Sequence, residues 1–319
     1  MDKQVAVIVA AYNVEKYIER CIYSLKSQTY TKWIAYVVND GSSDGTEEKL
    51  KKISSQDKRV VFKTIGNKGV FQARKIAIDM VRSCKYLMFL DSDDYLCDKY
   101  LLEKAIRKME EERIDIVAFN YIKGGKTGFK ERKEIRVNSN EEMIGHMLSR
   151  DIIDGNMPYS IYRFDIVKNN YRIRDYNNDD FLNKYAFLEA SKNLIFMPWI
   201  GYYYDTNPDS QTQRDIREED IAYYNHTKSF CEKVVRKYPG IRKEATYFKC
   251  WVLLWMATNL SKNRTFRKLE IYKEIIALTD HNWKNFLKNS YFSWKERFEW
   301  LLVRTRTYNL VYRMYSFYK

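Results

Sequence analysis

The sequence predicts an α/β protein: a doubly wound, mainly parallel sheet followed by a C-terminal α-helical region. Three observations carry this. Short apolar runs of the kind buried on both faces recur at Val5–Ala11, Ile34–Val38, Val60–Phe62, Leu87–Leu90 and Ile114–Tyr121. Segments with apolar residues at helical spacing separate them, and the connections suit right-handed βαβ crossovers. From Glu218 the pattern is helical nearly to the end.

Taken in order, Val5–Ala11 is the first strand, and Tyr12-Asn13 breaks it. Between Glu15 and Gln28, the spacing of Tyr17, Ile18, Cys21, Ile22 and Leu25 predicts an amphipathic helix. The second strand, Ile34–Val38, stops at Asn39-Asp40-Gly41-Ser42-Ser43-Asp44-Gly45-Thr46, where Asp44 or Thr46 caps a helix running to about Ser54. Val60–Phe62 is the third strand. Asn67-Lys68-Gly69 then turns into a helix from about Phe71 to Arg82. The fourth strand, Leu87–Leu90 after Tyr86, ends in Asp91-Ser92-Asp93-Asp94, followed by a helix over Lys99–Glu111 and a strand over Ile114–Tyr121. After Gly124-Gly125 the pattern loosens. Glu141–Ser149 and Phe181–Leu188 read as helices, and Leu194–Phe196 and Tyr202–Tyr204 as short strands. Tyr159–Tyr171 mixes aromatic and basic residues without a clear period, and Pro239-Gly240 is the clearest later break.

The 319 residues are 45% hydrophobic and 16% aromatic, enough for a sizeable core in one or two domains. The net charge of +14 is uneven: Asp215–Lys319 holds 21 Lys and Arg against 11 Asp and Glu. Such a basic third implies an acidic partner: nucleic acid, an anionic membrane or a phosphorylated substrate. The five cysteines are scattered, odd in number and without a Cys-x-x-Cys pair, so a reducing cytoplasm fits better than a disulfide framework or a zinc site. No signal peptide pattern opens the sequence, and the most apolar stretch, Cys250–Leu260, is too short to cross a bilayer. A soluble or peripheral protein is expected.

Strand ends of a parallel sheet line one edge, so Tyr12 and Asn13, Asp40, and Asp91 and Asp93 converge there. This chemistry suits a nucleoside diphosphate. Carboxylates accept from base N–H groups or ribose hydroxyls. Mg²⁺ or Mn²⁺ bridges carboxylate and diphosphate, and Lys68 and Arg74 neutralise remaining charge. A phosphate loop of the Gly-x-x-x-x-Gly-Lys-Ser/Thr type is absent, as is Gly-x-Gly-x-x-Gly after the first strand. This argues against a nucleoside triphosphatase and a dinucleotide oxidoreductase. Plainer readings stand beside these. Asp91–Asp94 also suits a solvated turn, Asp44 and Thr46 a helix start, Arg74 a surface charge, and Asp179-Asp180 a turn after Asn177-Asn178. His146, His226 and His281 lack the spacing of a zinc site or triad.

Val5–Asn13, Asn39–Thr46, Asn67-Lys68-Gly69 with Ala73-Arg74, and Asp91-Ser92-Asp93-Asp94 together resemble the four N-terminal motifs of the inverting glycosyltransferases of family 2, in order and at family spacing. Asn178-Asp179-Asp180-Phe181 is similar to that family's Glu-Asp motif, and Tyr202-Tyr203-Tyr204 with Ser210 to its Tyr-x-Tyr…Ser stretch, so the likeness covers roughly residues 3–212. It implies a GT-A fold, with residues 1–123 as a nucleotide-sugar-binding half, 124–213 as an acceptor-binding half and 214–319 as a basic, aromatic helical region. It further implies that Asp40 contacts the base, Asp91 the ribose or donor sugar, and Asp93 the metal on the diphosphate. Ala11, Tyr12, Asn13, Lys68, Arg74 and Ser92 line the nucleotide, and Asp180 is the general base. Asn39 stands where Asp is common, Lys75 where Asn is common and Asp179 where Glu is common, so the base is Asp180 or its neighbour Asp179.

The expected reaction is metal-dependent, inverting transfer of a hexose or N-acetylhexosamine from a nucleotide sugar, chiefly a UDP-sugar, to a glycan or lipid-linked acceptor of the capsule or cell-wall kind. A nucleotidyltransferase needs a Gly-rich basic loop that Ala10-Ala11-Tyr12-Asn13 does not offer, and no motif supports a nucleic-acid binder. Gln211-Thr212-Gln213-Arg214 only faintly echoes the Gln-x-x-Arg-Trp signature of processive synthases, so transfer of one or a few sugars is expected. The C-terminal third is either a helical subdomain with a solvated basic face, or a peripheral membrane or homo-oligomer surface. In the second case Phe298, Leu301, Leu302 and Thr305 lie between Arg297, Arg304 and Arg306, and Tyr308–Tyr318 adds aromatics. A cytoplasmic enzyme at the inner face of the cell membrane is the corresponding location.

Overall fold

The computed structural model describes residues 4–173, 179–205, 220–262 and 270–316. The chain divides into two compact units, Met1–Asn207 and Pro208–Lys319.

In the first unit, β1 (Val5–Ala11), β2 (Trp33–Asn39), β3 (Val60–Thr64) and β4 (Tyr86–Phe89) run parallel in the order β3-β2-β1-β4. Between them lie α1 (Ile18–Lys26), α2 (Thr46–Gln56) and α3 (Val70–Met80). Successive strand residues point to opposite faces, so an all-apolar strand needs cover on both sides. Val5, Val7, Val9 and Ala11 share one core with Ile18, Cys21 and Ile22 of α1 and Leu50 and Ile53 of α2. Ala6 and Ile8 are equally buried on the other face, and α3 packs on β1 and β2. The doubly wound reading is therefore correct for this half.

Beyond β4 the sheet is mixed. The four-residue β9 (Ser160–Arg163) lies antiparallel between β4 and β6 (Ile116–Lys123). It comes from the segment without a clear period, and four residues are too few for alternation to be read. The helix α6 (Phe164–Asn170) follows directly. The two short strands expected near residues 194 and 204 are one, β10 (Leu194–Tyr204), parallel to β6, whose register slips between Met197 and Ile200. Pro198 sits at that slip; without an N–H it cannot continue the ladder. The short β5 (Tyr95–Leu96) pairs with β10, β7 (Lys126–Thr127) with β6 and β8 (Ile135–Val137) with β10. Helices α4 (Leu101–Glu111), α5 (Asn140–Ser149) and α7 (Asp179–Ala190) complete the unit. Phe89 of β4 contacts Tyr162, Tyr171 and Phe187 at ring-centroid distances of 6.1–6.4 Å, which ties β4, β9 and α7 together.

The second unit is helical: α8 (Asp220–Lys237), a 3₁₀ turn at Pro239–Ile241, α9 (Arg242–Lys262), α10 (Glu270–His281), α11 (Trp283–Lys288), α12 (Trp294–Arg304) and α13 (Tyr308–Ser316). The other helices pack around α9, whose buried residues run nearly all round it, as a central helix requires. Among the described residues no helix is long and apolar enough to cross a membrane.

Candidate active site

Register brings the strand ends together. Ala11 is level with Asn39, and Asp40 N–H donates to Ala11 C=O at 2.8 Å. Ile8 is level with Phe89, and Leu90 N–H donates to Ile8 C=O, which sets Asp91 beside the end of β1. Asn39 is level with Thr64, so the 65–69 loop starts at the same edge. The predicted convergence of Ala11–Asn13, Asp40, Lys68 and Asp91–Asp93 therefore follows from strand pairing.

Asn13 has φ +51°; its Oδ1 accepts from Ser43 N–H at 2.8 Å and its own N–H donates to Ser42 Oγ at 3.0 Å. Asp44 accepts from the N–H groups of Thr46 and Glu15, so it begins α2 as the helix-start reading expected, and these bonds help hold its carboxyl below the usual range despite partial burial. Asn39 is fully buried and accepts from Ser42. Asp40 is buried; its two oxygens accept from the backbone N–H of Lys68 (2.7 Å) and Gly69 (2.8 Å). Gly41 has φ +74°, and a Cβ there would lie 2.8 Å from Asn67 N, so only glycine lets this loop close on the 65–69 segment. The Asp-Gly pair thus locks the two loops together.

Arg74, on α3, is the most connected charge at this edge. Its side chain is only 5% exposed; Nη2 donates to Asp91 Oδ1 at 2.5 Å and Nη1 to Asp180 Oδ1 at 2.6 Å. Burial opposes its charge, but Asp180 and Asp91 outweigh burial and hold the guanidinium above its ordinary value. The plain reading of Arg74 as a surface charge is not what the structure has. Asp180 stands in the first turn of α7. Asn178 and the side chain of Asp179 lie outside the described residues, as do Ser210 and Gln211–Arg214.

The acidic loop after β4 is braced from below. Asp91 N–H donates to Tyr202 Oη at 3.2 Å, Tyr202 O–H donates to Asp94 Oδ2 at 2.7 Å, and Asp205 N–H donates to Asp94 Oδ1 at 2.8 Å. Asp94 thus braces the loop through both of its oxygens. Burial first, then the neighbouring Asp91 and Asp93 charges, push its carboxyl up to about 8 against the pull of these hydrogen bonds. Ser92 is buried and Asp93 half-buried.

Three further polar residues, one touching the Asp-rich loop and two on α7 beside Asp180, carry no sequence signal. Arg20 of α1 donates to Asp93 C=O at 2.8 Å and to Asp205 Oδ2 at 2.5 Å, and lies over the Tyr95 ring at 4.7 Å. Asn183 holds the Arg172 backbone through both its C=O and N–H. Lys184, one turn after Asp180, is buried, and its Nζ donates to Ser160 Oγ (2.8 Å) and Tyr162 Oη (2.7 Å). Burial pushes its amine down to about 7, against the pull of Asp154 and Asp180.

A parallel sheet edge bearing this Asp-rich loop, with an added strand-and-helix half, is the architecture of the GT-A glycosyltransferases. The chain belongs to glycosyl transferase family 2: residues 6–170 match the family model of that description. Glycosyltransferase GlyA of Streptococcus pneumoniae is 37% identical over 121 residues, which are 38% of this chain and 17% of GlyA. In shape the chain is similar to residues 1–349 of S. aureus TarS, solved in complex with UDP-GlcNAc. The TM-score is 0.68 at 21% identity, over 98% of this chain and 92% of that one. It is also similar to the mannosyltransferase PcManGT of Pyrobaculum calidifontis, solved in complex with GDP-Man and Mn²⁺, with a TM-score of 0.56 at 16% identity over 96% and 87% of the two chains. The expected fold class and family are both correct.

Proposed function

We propose that this glycosyltransferase moves a hexose or N-acetylhexosamine from a UDP-sugar to a hydroxyl of a glycan or lipid-linked acceptor of a cell-surface polymer, with inversion at the anomeric carbon. The observation that carries the reading is Arg74, which joins the strand-end carboxylate Asp91 to Asp180 of the other half. A donor-side group and the candidate base are thus held beside one another by one guanidinium. The UDP-GlcNAc complex of TarS supports a UDP-sugar donor by shape alone.

In this reading Asp40, Ala11, Tyr12, Asn13 and Lys68 receive the nucleoside, and Asp91 and Ser92 the ribose and sugar. Asp180 takes the proton of the acceptor hydroxyl as it attacks. Arg74 orients both carboxylates through its two N–H···O bonds. Asp91 and Asp93, two residues apart on one loop and partly exposed, offer the hard oxygen donors that a divalent cation takes. Among the described residues no three metal-binding side chains form a complete cage. Mg²⁺ is often held by one or two carboxylates together with substrate phosphates, and Asp93 is the residue that would hold it. Such a cation supplies charge neutralisation for the departing diphosphate. The basic C-terminal unit brings the enzyme to its acceptor at the inner face of the membrane and performs no chemistry.

A thermal-shift panel of UDP-, GDP- and CMP-sugars with and without Mn²⁺ tests this reading. Stabilisation by a UDP-sugar that needs Mn²⁺ and disappears in Asp93→Ala is the expected result. Unchanged Mn²⁺-dependent affinity in Asp93→Ala removes Asp93 from the metal.

A further inference from the structure

Helix α12 has two opposed apolar stripes, and only one is packed. Trp300 and Val303 are buried on the inner side, where Trp300 stacks on Phe286 at 5.5 Å. The helix start is fixed by a capping box: Ser293 and Glu296 bond each other's backbone N–H. Glu296 also accepts from Tyr247 Oη at 3.2 Å. Trp294, Phe298 and Leu301, spaced i, i+4, i+7, form the outer stripe and are 80%, 49% and 47% exposed. Leu302, expected on that stripe, is half-buried, and Trp294 takes its place. Arg297 and Arg304 run along one edge of the outer stripe and Lys295 along the other. Arg297 donates to Asn289 C=O, Arg304 pairs with Asp280 at 3.4 Å, and Lys295 lies 3.8 Å from Glu299.

We propose that this outer face of α12 is a membrane-binding surface, inserting Trp294, Phe298 and Leu301 at the level of the headgroups of an anionic bilayer. Composition and charge commit the face to that occupant. First, an aromatic and aliphatic stripe edged by Lys and Arg is the composition that seats an amphipathic helix in an anionic interface, and Trp is favoured at that depth. Secondly, residues 215–319 carry ten more cationic than acidic side chains, and an anionic surface attracts such an excess over distances of about a Debye length. The helix is held rigidly by its capping box and inner stripe, so no folding on binding is needed. The proposal stands on the second unit alone and is independent of the donor-site reading.

The test is sedimentation of the full chain with phosphatidylcholine vesicles, with and without phosphatidylglycerol, at low and high salt. The wild-type chain should bind the anionic vesicles at low salt and be weakened by salt. Trp294→Ser/Phe298→Ser/Leu301→Ser should lose about a hundredfold in partitioning while still unfolding cooperatively and keeping its oligomeric state, because none of the three side chains is fully buried. Absence of binding at low salt, or equal binding by the triple variant, overturns the proposal. A wild-type dimer that the triple variant converts to monomer also overturns it and assigns the face to a second copy.

Discussion

Arg74 and Asp180 are 106 residues apart in sequence and meet at 2.6 Å, guanidinium to carboxylate. The same guanidinium binds Asp91 with its other arm. The edge of the parallel sheet and the first turn of α7 are therefore fastened by one planar fork, a geometry that a lysine cannot reproduce.

Arg74→Lys should retain the charge but only one of the two contacts, lowering kcat/KM by about tenfold. Arg74→Met should leave two neighbouring carboxylates without their shared cation and cost about 2–3 kcal/mol of stability. Urea unfolding and steady-state kinetics on the two variants check this; equal stability of Arg74→Met and wild type would show that the pair contributes nothing to the fold.

Asp180→Asn keeps an oxygen for Arg74 but cannot take a proton. Donor binding should be normal and kcat lower by about 10²–10⁴. Asp179→Asn should be milder. Near-normal transfer by Asp180→Asn overturns the assignment, and a larger loss in Asp179→Asn moves the base back one residue.

Asp40→Ala should have two effects, because Asp40 is proposed to receive the nucleoside and its carboxylate holds two backbone N–H groups. Leaving Lys68 and Gly69 N–H without acceptors should cost about 1–3 kcal/mol. UDP and UDP-sugar affinity should fall together, as calorimetry at a temperature where the variant is folded will show. A change confined to acceptor kinetics would place Asp40 outside the nucleotide site.

The legible parts of this chain were those where one local rule decided the outcome. Val5–Ala11 has no polar residue and must be buried on both faces. Asp40-Gly41 requires a tight turn at a strand end, and Asp44 and Thr46 precede a helical period. The ordered motifs placed Asp91, Asp93 and Asp180 in one site, and the structure ties Asp91 and Asp180 to one arginine. What could not be read depends on pairing between distant segments. Nothing local in Ser160–Arg163 requires an antiparallel strand between two others. Arg20 looks like any charge on α1 until Asp93 and Asp205 are brought to it. Lys184 lies in a sequence that suggests an ordinary helix lysine, yet it is buried on Ser160 and Tyr162.

Lys184 should make stability depend on pH in an unusual direction. Burial lowers its amine from an ordinary value of 10.5 to about 7, while in the unfolded chain it titrates near the ordinary value. Between these two values the unfolded state holds more protons than the folded state, so stability rises with pH across that window. Below about 7 both states are protonated and the cost of burying the ammonium is fully present. Lys184→Met removes the titrating group at similar volume. Tyr162 Oη keeps its bond to Met157 C=O at 2.7 Å, so one of the two hydroxyls left behind remains satisfied. The difference in unfolding free energy between wild type and Lys184→Met should therefore shift towards wild type from about pH 7 to about pH 10. Chemical denaturation at several pH values measures it. A difference that is flat across this range would mean that Lys184 stays protonated in the fold, held by Ser160, Tyr162 and the nearby carboxylates.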